Sequence, residues 1–215
     1  MLFRSALNRA RLLTALATVA CLRVSEVAGL QVCDLWTDHF IGYGIPGYHG
    51  TCAVHVSHRK NDSVRKGHLP GLGRAKDPEL DIVYQLKSWV EWMGLQKHEA
   101  CRKRKLPAAR CPLCQPLFPV TVKGPGYTTV SSGRHLSTQQ ASQDIRRAVQ
   151  QAGCDPSRFS GISARKGGLS TAIGAGVEEV VLYLQSGHGP ERAARRYMQL
   201  LGPDRLMETF NAFEL

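Results

Sequence analysis

The chain has 215 residues, 43% hydrophobic and 21% charged, enough for one core or for one domain with a small insertion. A formal net charge of +11 points to a polyanionic partner, nucleic acid first, ahead of a merely solvated basic surface. The longest apolar stretch, residues 12–22, falls short of the roughly 20 residues needed to span a bilayer, no signal peptide is recognisable, and seven cysteines suit free or metal-bound thiols in a reducing, intracellular compartment, which excludes a membrane protein.

Taken in order, residues 5–20 read as a helix, with Leu13, Leu16, Ala17 and Ala20 on one face. Arg23 follows, and Ser25 can cap a short helix carrying Val27 and Leu30. Residues 37–50 are loop or irregular strand. Cys52, Val54 and Val56 alternate with Ala53, His55 and Ser57, as in a half-buried strand. Val64 to Leu69 would return as a second strand ended by Pro70-Gly71, so 51–70 is a hairpin with Lys60 at its tip.

Asp77-Pro78 opens the next helix, striped by Leu80, Val83, Leu86, Val90 and Met93. Residues 97–120, rich in Lys, Arg, Pro and Cys, form an insertion, and 121–135 a Gly/Ser/Thr loop. Thr138 can cap a helix through Ala152, with Ala141, Ile145, Ala148, Val149 and Ala152 on one face. Ser163 can cap a helix to about Ala175, ended by Gly176. Val177, Val180, Val181 and Leu184 mark another, Pro190 opens one bearing Tyr197, and Leu206, Met207, Phe210 and Phe213 line a final amphipathic helix. The fold class expected is therefore mainly α with a small antiparallel β-hairpin.

Arg165, His188 and Tyr197 fall within one stretch, Phe159 to Tyr197. Together they suit a phosphodiester: an arginine to grip phosphate oxygens, a histidine to donate a further hydrogen bond and a phenol able to attack phosphorus. Upstream, Cys21-Leu22-Arg23-Val24-Ser25-Glu26-Val27-Ala28-Gly29-Leu30 sets a second arginine at the start of a helix. Glu26 reads as a partner for a neighbouring cation rather than a chemical group.

This ordered set resembles the catalytic domain of the tyrosine recombinase (phage integrase) family. Residues 21–30 are similar to its Gly-Leu-Arg-x-Ser-Glu-Leu-x-x-Leu motif, 162–165 to His-x-x-Arg, and Ser186-Gly187-His188 to Leu-Gly-His, with the nucleophile at Tyr197. The family's lysine, in a hairpin turn, points to Lys60. The resemblance covers roughly residues 10–200. It implies that Tyr197 attacks the scissile phosphorus to form a 3′-phosphotyrosyl link, while Arg23 and Arg165 hold the non-bridging oxygens, His188 hydrogen-bonds the phosphate and Lys60 protonates the departing 5′ oxygen. It implies duplex DNA as partner, self-association on that DNA, no cofactor for the chemistry, and nuclear localisation if the source is eukaryotic, as for a mobile element.

Two departures from the family stand out. Ile162 occupies the histidine position of His-x-x-Arg and cannot donate a hydrogen bond. The helical N-terminal domain that clamps DNA in family members is also missing, so residues 1–215 read as a catalytic domain alone. These departures favour the alternative of a catalytically impaired DNA-binding remnant. A type IB topoisomerase would share the chemistry.

Separately, His98-x-x-Cys101 and Cys111-x-x-Cys114 are two pairs with the two-residue spacing that chelates tetrahedral zinc. A structural zinc would brace a loop too polar to build a core. The bland reading is a basic loop with free thiols. Arg102-Lys103-Arg104-Lys105 lies between the pairs, as a phosphate contact, a nuclear-localisation patch or a solvated run.

Overall fold

The computed structural model describes residues 5–37, 52–57, 67–98, 101, 111, 113–123 and 129–187. Helix α1 (Ser5–Val19) packs against most of the other described helices. Leu12, Leu13, Leu16, Ala17 and Ala20 are buried, and the hydroxyls of Thr14 and Thr18 donate to the carbonyls of Ala10 and Thr14 one turn back. The helix therefore presents an apolar face without orphaned polar groups. Buried Arg9 reaches across from it. Its Nε lies 2.8 Å from Asp144 Oδ2, and its Nη1 donates to the Pro119 carbonyl at 3.2 Å.

After α1 the chain turns at Cys21, a non-glycine residue at φ 50°, where the recombinase motif quoted above has glycine. Helix α2 (Val24–Ala28) follows. Its cap is Arg23, not Ser25, because the Glu26 carboxylate reaches back to the Arg23 N–H at 2.7 Å. A 3-10 turn, Val32–Asp34, leads into β1 (Leu35–Thr37), which pairs antiparallel with β2 (Cys52–Val54), itself paired with β3 (Gly71–Leu72). A Val56–His68 bridge extends the β2–β3 ladder. The expected hairpin is present, with its return arm running a few residues further along the chain than the alternation suggested. Gly67, at φ 64°, permits it, since a Cβ there would sit 2.4 Å from the Val56 carbonyl oxygen. Lys60, in the connection, lies outside the described residues.

Helix α3 (Ile82–Trp92) starts later than Asp77-Pro78 suggested. Asp81 is the cap, its carboxylate accepting from the Tyr84 N–H at 2.9 Å, and Asp77 instead closes a turn beneath it. Leu80 is consequently exposed, while Val83, Leu86 and Trp89 are buried. Trp89 Nε1 donates to the Leu117 carbonyl at 2.8 Å. Leu117 and Phe118 are fully buried in the main core, so the last residues of the supposed insertion belong to the core itself.

The segment read as a Gly/Ser/Thr loop is a second sheet, β4 (Pro119–Lys123) against β5 (Thr129–His135), antiparallel. Val120, Thr121 and Val122 are β-branched and fit a pleated surface; the glycines between the strands hid that. Helix α4 (Thr138–Gln151) is capped by Ser137, whose hydroxyl accepts from the Gln140 N–H. Helices α5 (Ser163–Gly174) and α6 (Glu179–Ser186) complete the described fold. Gly176, at φ 79°, ends α5 as expected. The architecture is mostly helical with small antiparallel sheets. No helix among the described residues is long and apolar enough to cross a membrane.

Candidate active site

Arg23 and Arg165 are far apart in the chain and meet at one carboxylate. Glu26, on α2, accepts from Arg23 Nη1 at 2.8 Å through Oε1 and from Arg165 Nη1 at 3.4 Å through Oε2. The two cations differ in exposure: the Arg165 side chain is 4% exposed and that of Arg23 30%. Arg165 is held as a rigid interior group, and Arg23 presents part of its guanidinium to solvent. Like charges this close would repel, and the shared carboxylate offsets that repulsion while fixing both forks.

A second bond orients Arg165. Its Nη2 donates to the Ser186 carbonyl at 2.9 Å, at the C-terminus of α6. Gly187 then turns the chain at φ 61°, immediately before His188. The arginine is thereby tied to the turn from which His188 departs. That turn is anchored again by Gln185, 1% exposed, whose amide exchanges two hydrogen bonds with the backbone of Gly71 on β3, at 2.9 and 3.2 Å. Helix α5 itself is seated by Gly168. A Cβ there would come within 2.0 Å of the Thr18 carbonyl oxygen on α1, so α5 lies against α1 at backbone distance.

Burial pushes the Cys21 thiol up to about 11, opposed by the nearby Arg165 charge. Cys21 is therefore a neutral packing group beside the arginines, not a nucleophile. Ile162, directly before α5, is 54% exposed and makes no side-chain cap. His188 and Tyr197, like Lys60, lie outside the described residues.

The cysteines form a separate cluster. The Sγ atoms of Cys33, Cys101 and Cys114 lie within 4.8 Å of one another, and Cys111 packs in the same buried group. His98 contributes a backbone N–H, 3.1 Å from Cys114 Sγ, and its ring Nδ1 is buried with no hydrogen-bond partner among the described residues. Burial, the adjacent Asp34 carboxylate and Cys114 push the Cys33 thiol upward, and burial raises Cys101 to about 11. At Cys111 burial acts the same way but is outweighed, first by the Leu113 backbone hydrogen bond and then by Cys101 and Cys114, so its thiol is lowered. Cys33 had no motif to mark it: it follows α2 alone, and only the fold brings it to the others. Gln185 and Gly168 were equally silent in the sequence.

The mostly helical fold with small antiparallel sheets is similar to that of a site-specific recombinase. Two solved structures carry this. The pre-cleavage complex of XerH site-specific recombinase bound to difH substrate superposes with a TM-score of 0.54 at 15% identity, covering 92% of this chain and 44% of that one. The post-cleavage complex of XerH with palindromic difH substrate gives 0.55 at 16%, covering 97% and 46%. The chain thus spans less than half the length of these recombinases. No family model matches the sequence, and no curated protein does.

Proposed function

We propose that the chain is a DNA strand-transfer catalytic domain that cleaves and rejoins duplex DNA through a 3′-phosphotyrosyl intermediate. The observation that carries this is the Arg23–Glu26–Arg165 arrangement, bonded onward to Ser186 at the threshold of His188. Rigid, preorganised guanidinium groups are what a phosphoryl transition state needs, since charge grows on the non-bridging oxygens and no reorganisation is then required. Tyr197 attacks phosphorus, the bond to the 5′ oxygen breaks, Lys60 protonates that oxygen, and His188 hydrogen-bonds the phosphate. The bond energy is retained in the phosphotyrosine, so another strand's 5′-hydroxyl can reverse the step. The chemistry uses no cofactor. The net charge of +11 supplies attraction to phosphate, and copies of the protein associate on the DNA. In a eukaryotic host the protein works in the nucleus, as the enzyme of a mobile element.

The test is a suicide duplex nicked beside the cleavage site, incubated with the purified chain and resolved under denaturing conditions. A covalent protein–DNA adduct is expected, and Tyr197→Phe should abolish it. A chain that binds the duplex yet gives no adduct at high protein concentration would overturn the enzyme reading.

Ile162, in place of the histidine in the resembled His-x-x-Arg motif, favours the second reading, a DNA-binding remnant with impaired chemistry. Ile162→His separates the two. If the position serves the phosphate, histidine should accelerate adduct formation by tenfold or more, bounded by the roughly 10²–10³ that one such donor contributes. An unchanged rate places Ile162 outside the site.

A further inference from the structure

We propose that Cys33, Cys101, Cys111 and Cys114 bind one zinc ion as a tetrathiolate, with Cys33 rather than His98 as the fourth ligand. Three thiols from three separate segments already stand within 4.8 Å of one another. The fourth, Cys111, packs in the same buried cluster, and its carbonyl accepts from the Cys114 N–H at 3.4 Å. Cys101, Cys111 and Cys114 are each at least nine-tenths buried, in a cluster of their own apart from the main core. Four soft sulfur donors in a closed pocket select zinc among the common divalent ions, and a closed four-ligand set is the structural rather than the catalytic kind.

A backbone donor also meets the cluster. The His98 N–H lies 3.1 Å from Cys114 Sγ. Such backbone donors stabilise negative sulfur and are what ligating cysteines in short Cys-x-x-Cys turns require. Buried Gln31 holds that turn from behind, its Nε2 donating to the carbonyls of Cys111 and Cys114 at 2.7 and 3.0 Å. Val32 N–H bonds to the Gln115 carbonyl at 3.0 Å, so the segment carrying Cys33 is stitched to the segment carrying Cys111 and Cys114. Metal-binding geometry is thus built by the backbone, independently of any recombinase activity.

The position of the site says what the ion does. It joins the chain just after α2, which carries Glu26, to the Cys-rich segment that returns to the core at Leu117 and Phe118. That segment is too polar to hold itself down by apolar burial, and the ion replaces the missing core.

The full chain, expressed in zinc-supplemented medium and purified under reducing conditions without a polyhistidine tag, should carry about one zinc per chain by elemental analysis. X-ray absorption at the zinc edge should show four sulfur neighbours at about 2.3 Å. Cys33→Ser should lose zinc or weaken its binding at least tenfold against a chromogenic chelator, while His98→Ala should keep both stoichiometry and affinity. Should Cys33→Ser not fold, the absorption spectrum of the unaltered chain still decides. Three sulfurs and one nitrogen would overturn the assignment of Cys33 and return the fourth place to His98. A folded chain holding less than a tenth of an equivalent after zinc reconstitution would overturn the site altogether, as would a disulfide between any two of the four under the same reducing conditions.

Discussion

Glu26→Ala is expected to lower stability by about 3–5 kcal/mol, the cost of removing one partner of a buried ion pair. The Glu26 and Arg165 side chains are 3% and 4% exposed, so neither can turn to water when the other is removed. The Ser186 carbonyl keeps a hydrogen bond on Arg165 but cannot neutralise it. The α2 cap is lost in the same stroke, since Glu26 also accepts from the Arg23 N–H. For a chain of this size the shift corresponds to roughly 10 °C in Tm. Chemical denaturation measures it directly. The double variant Glu26→Ala/Arg165→Ala should fall well short of the sum of the two single losses, because the second change removes the charge the first left stranded. A loss below about 1 kcal/mol for Glu26→Ala would mean that the carboxylate does not hold Arg165.

Gly168→Ala should be nearly as damaging, and for a steric reason. The added methyl would lie 2.0 Å from the Thr18 carbonyl oxygen and 2.9 Å from its carbon, both backbone, with Cys21 Sγ at 3.3 Å. No rotamer relieves a clash between one helix's Cβ and another helix's backbone, so α5 must move away from α1. Such overpacking costs about 3 kcal/mol, at the upper end of its usual range. Arg165 lies one turn earlier on the same helix, so the displacement also drags its guanidinium off Glu26 and Ser186. Gly167→Ala is the matched control. A Cβ there meets nothing within 4 Å, and alanine in a helix interior should stabilise by up to about 1 kcal/mol. Thermal melts of the two variants should move in opposite directions. Equal shifts would show that helix propensity, not the α1–α5 approach, governs position 168.

The parts legible in the sequence are those where one period dominates. The stripe of α1 and the face of Ala141 and Ile145 on α4 are inward as their spacing required. Cys52, Val54 and Val56 lie in paired strand and bridge, but Ala53 and His55 are buried as well, so the strand is covered on both faces and not half-buried as the alternation suggested. Arg23 and Arg165 were found from motifs, and the structure brings them to a single carboxylate. Legibility failed where long-range pairing decided the local state. Residues 119–123 and 129–135 become strands because each supplies the other's hydrogen bonds, a fact invisible to either alone. Leu117 and Phe118 looked like the end of a polar insertion because their burial depends on Trp89 and the rest of the core. The start of α3 was misplaced because two Asp residues, 77 and 81, carry the same capping chemistry, and only the closed turn at Asp77 assigns the cap to Asp81. Cys33 illustrates the limit best. Ligand spacing can be read only within a segment, and this thiol joins the cluster from another.

The position of α1 also sets the order in which the molecule can be completed. Its main packing partners, α4 and α5, begin at Thr138 and Ser163, whereas α1 ends at Val19. A ribosome adding 5–20 residues per second needs about 10 s to make the chain between them. During that interval Leu12, Leu13, Leu16, Ala17 and Ala20 have only the cover that α2 and α3 supply. The contacts that enclose them span most of the sequence, from Arg9–Asp144 to Glu26–Arg165, and pairings of that separation form slowly. The helix at the centre of the finished structure is therefore, during synthesis, the surface most in need of a chaperone.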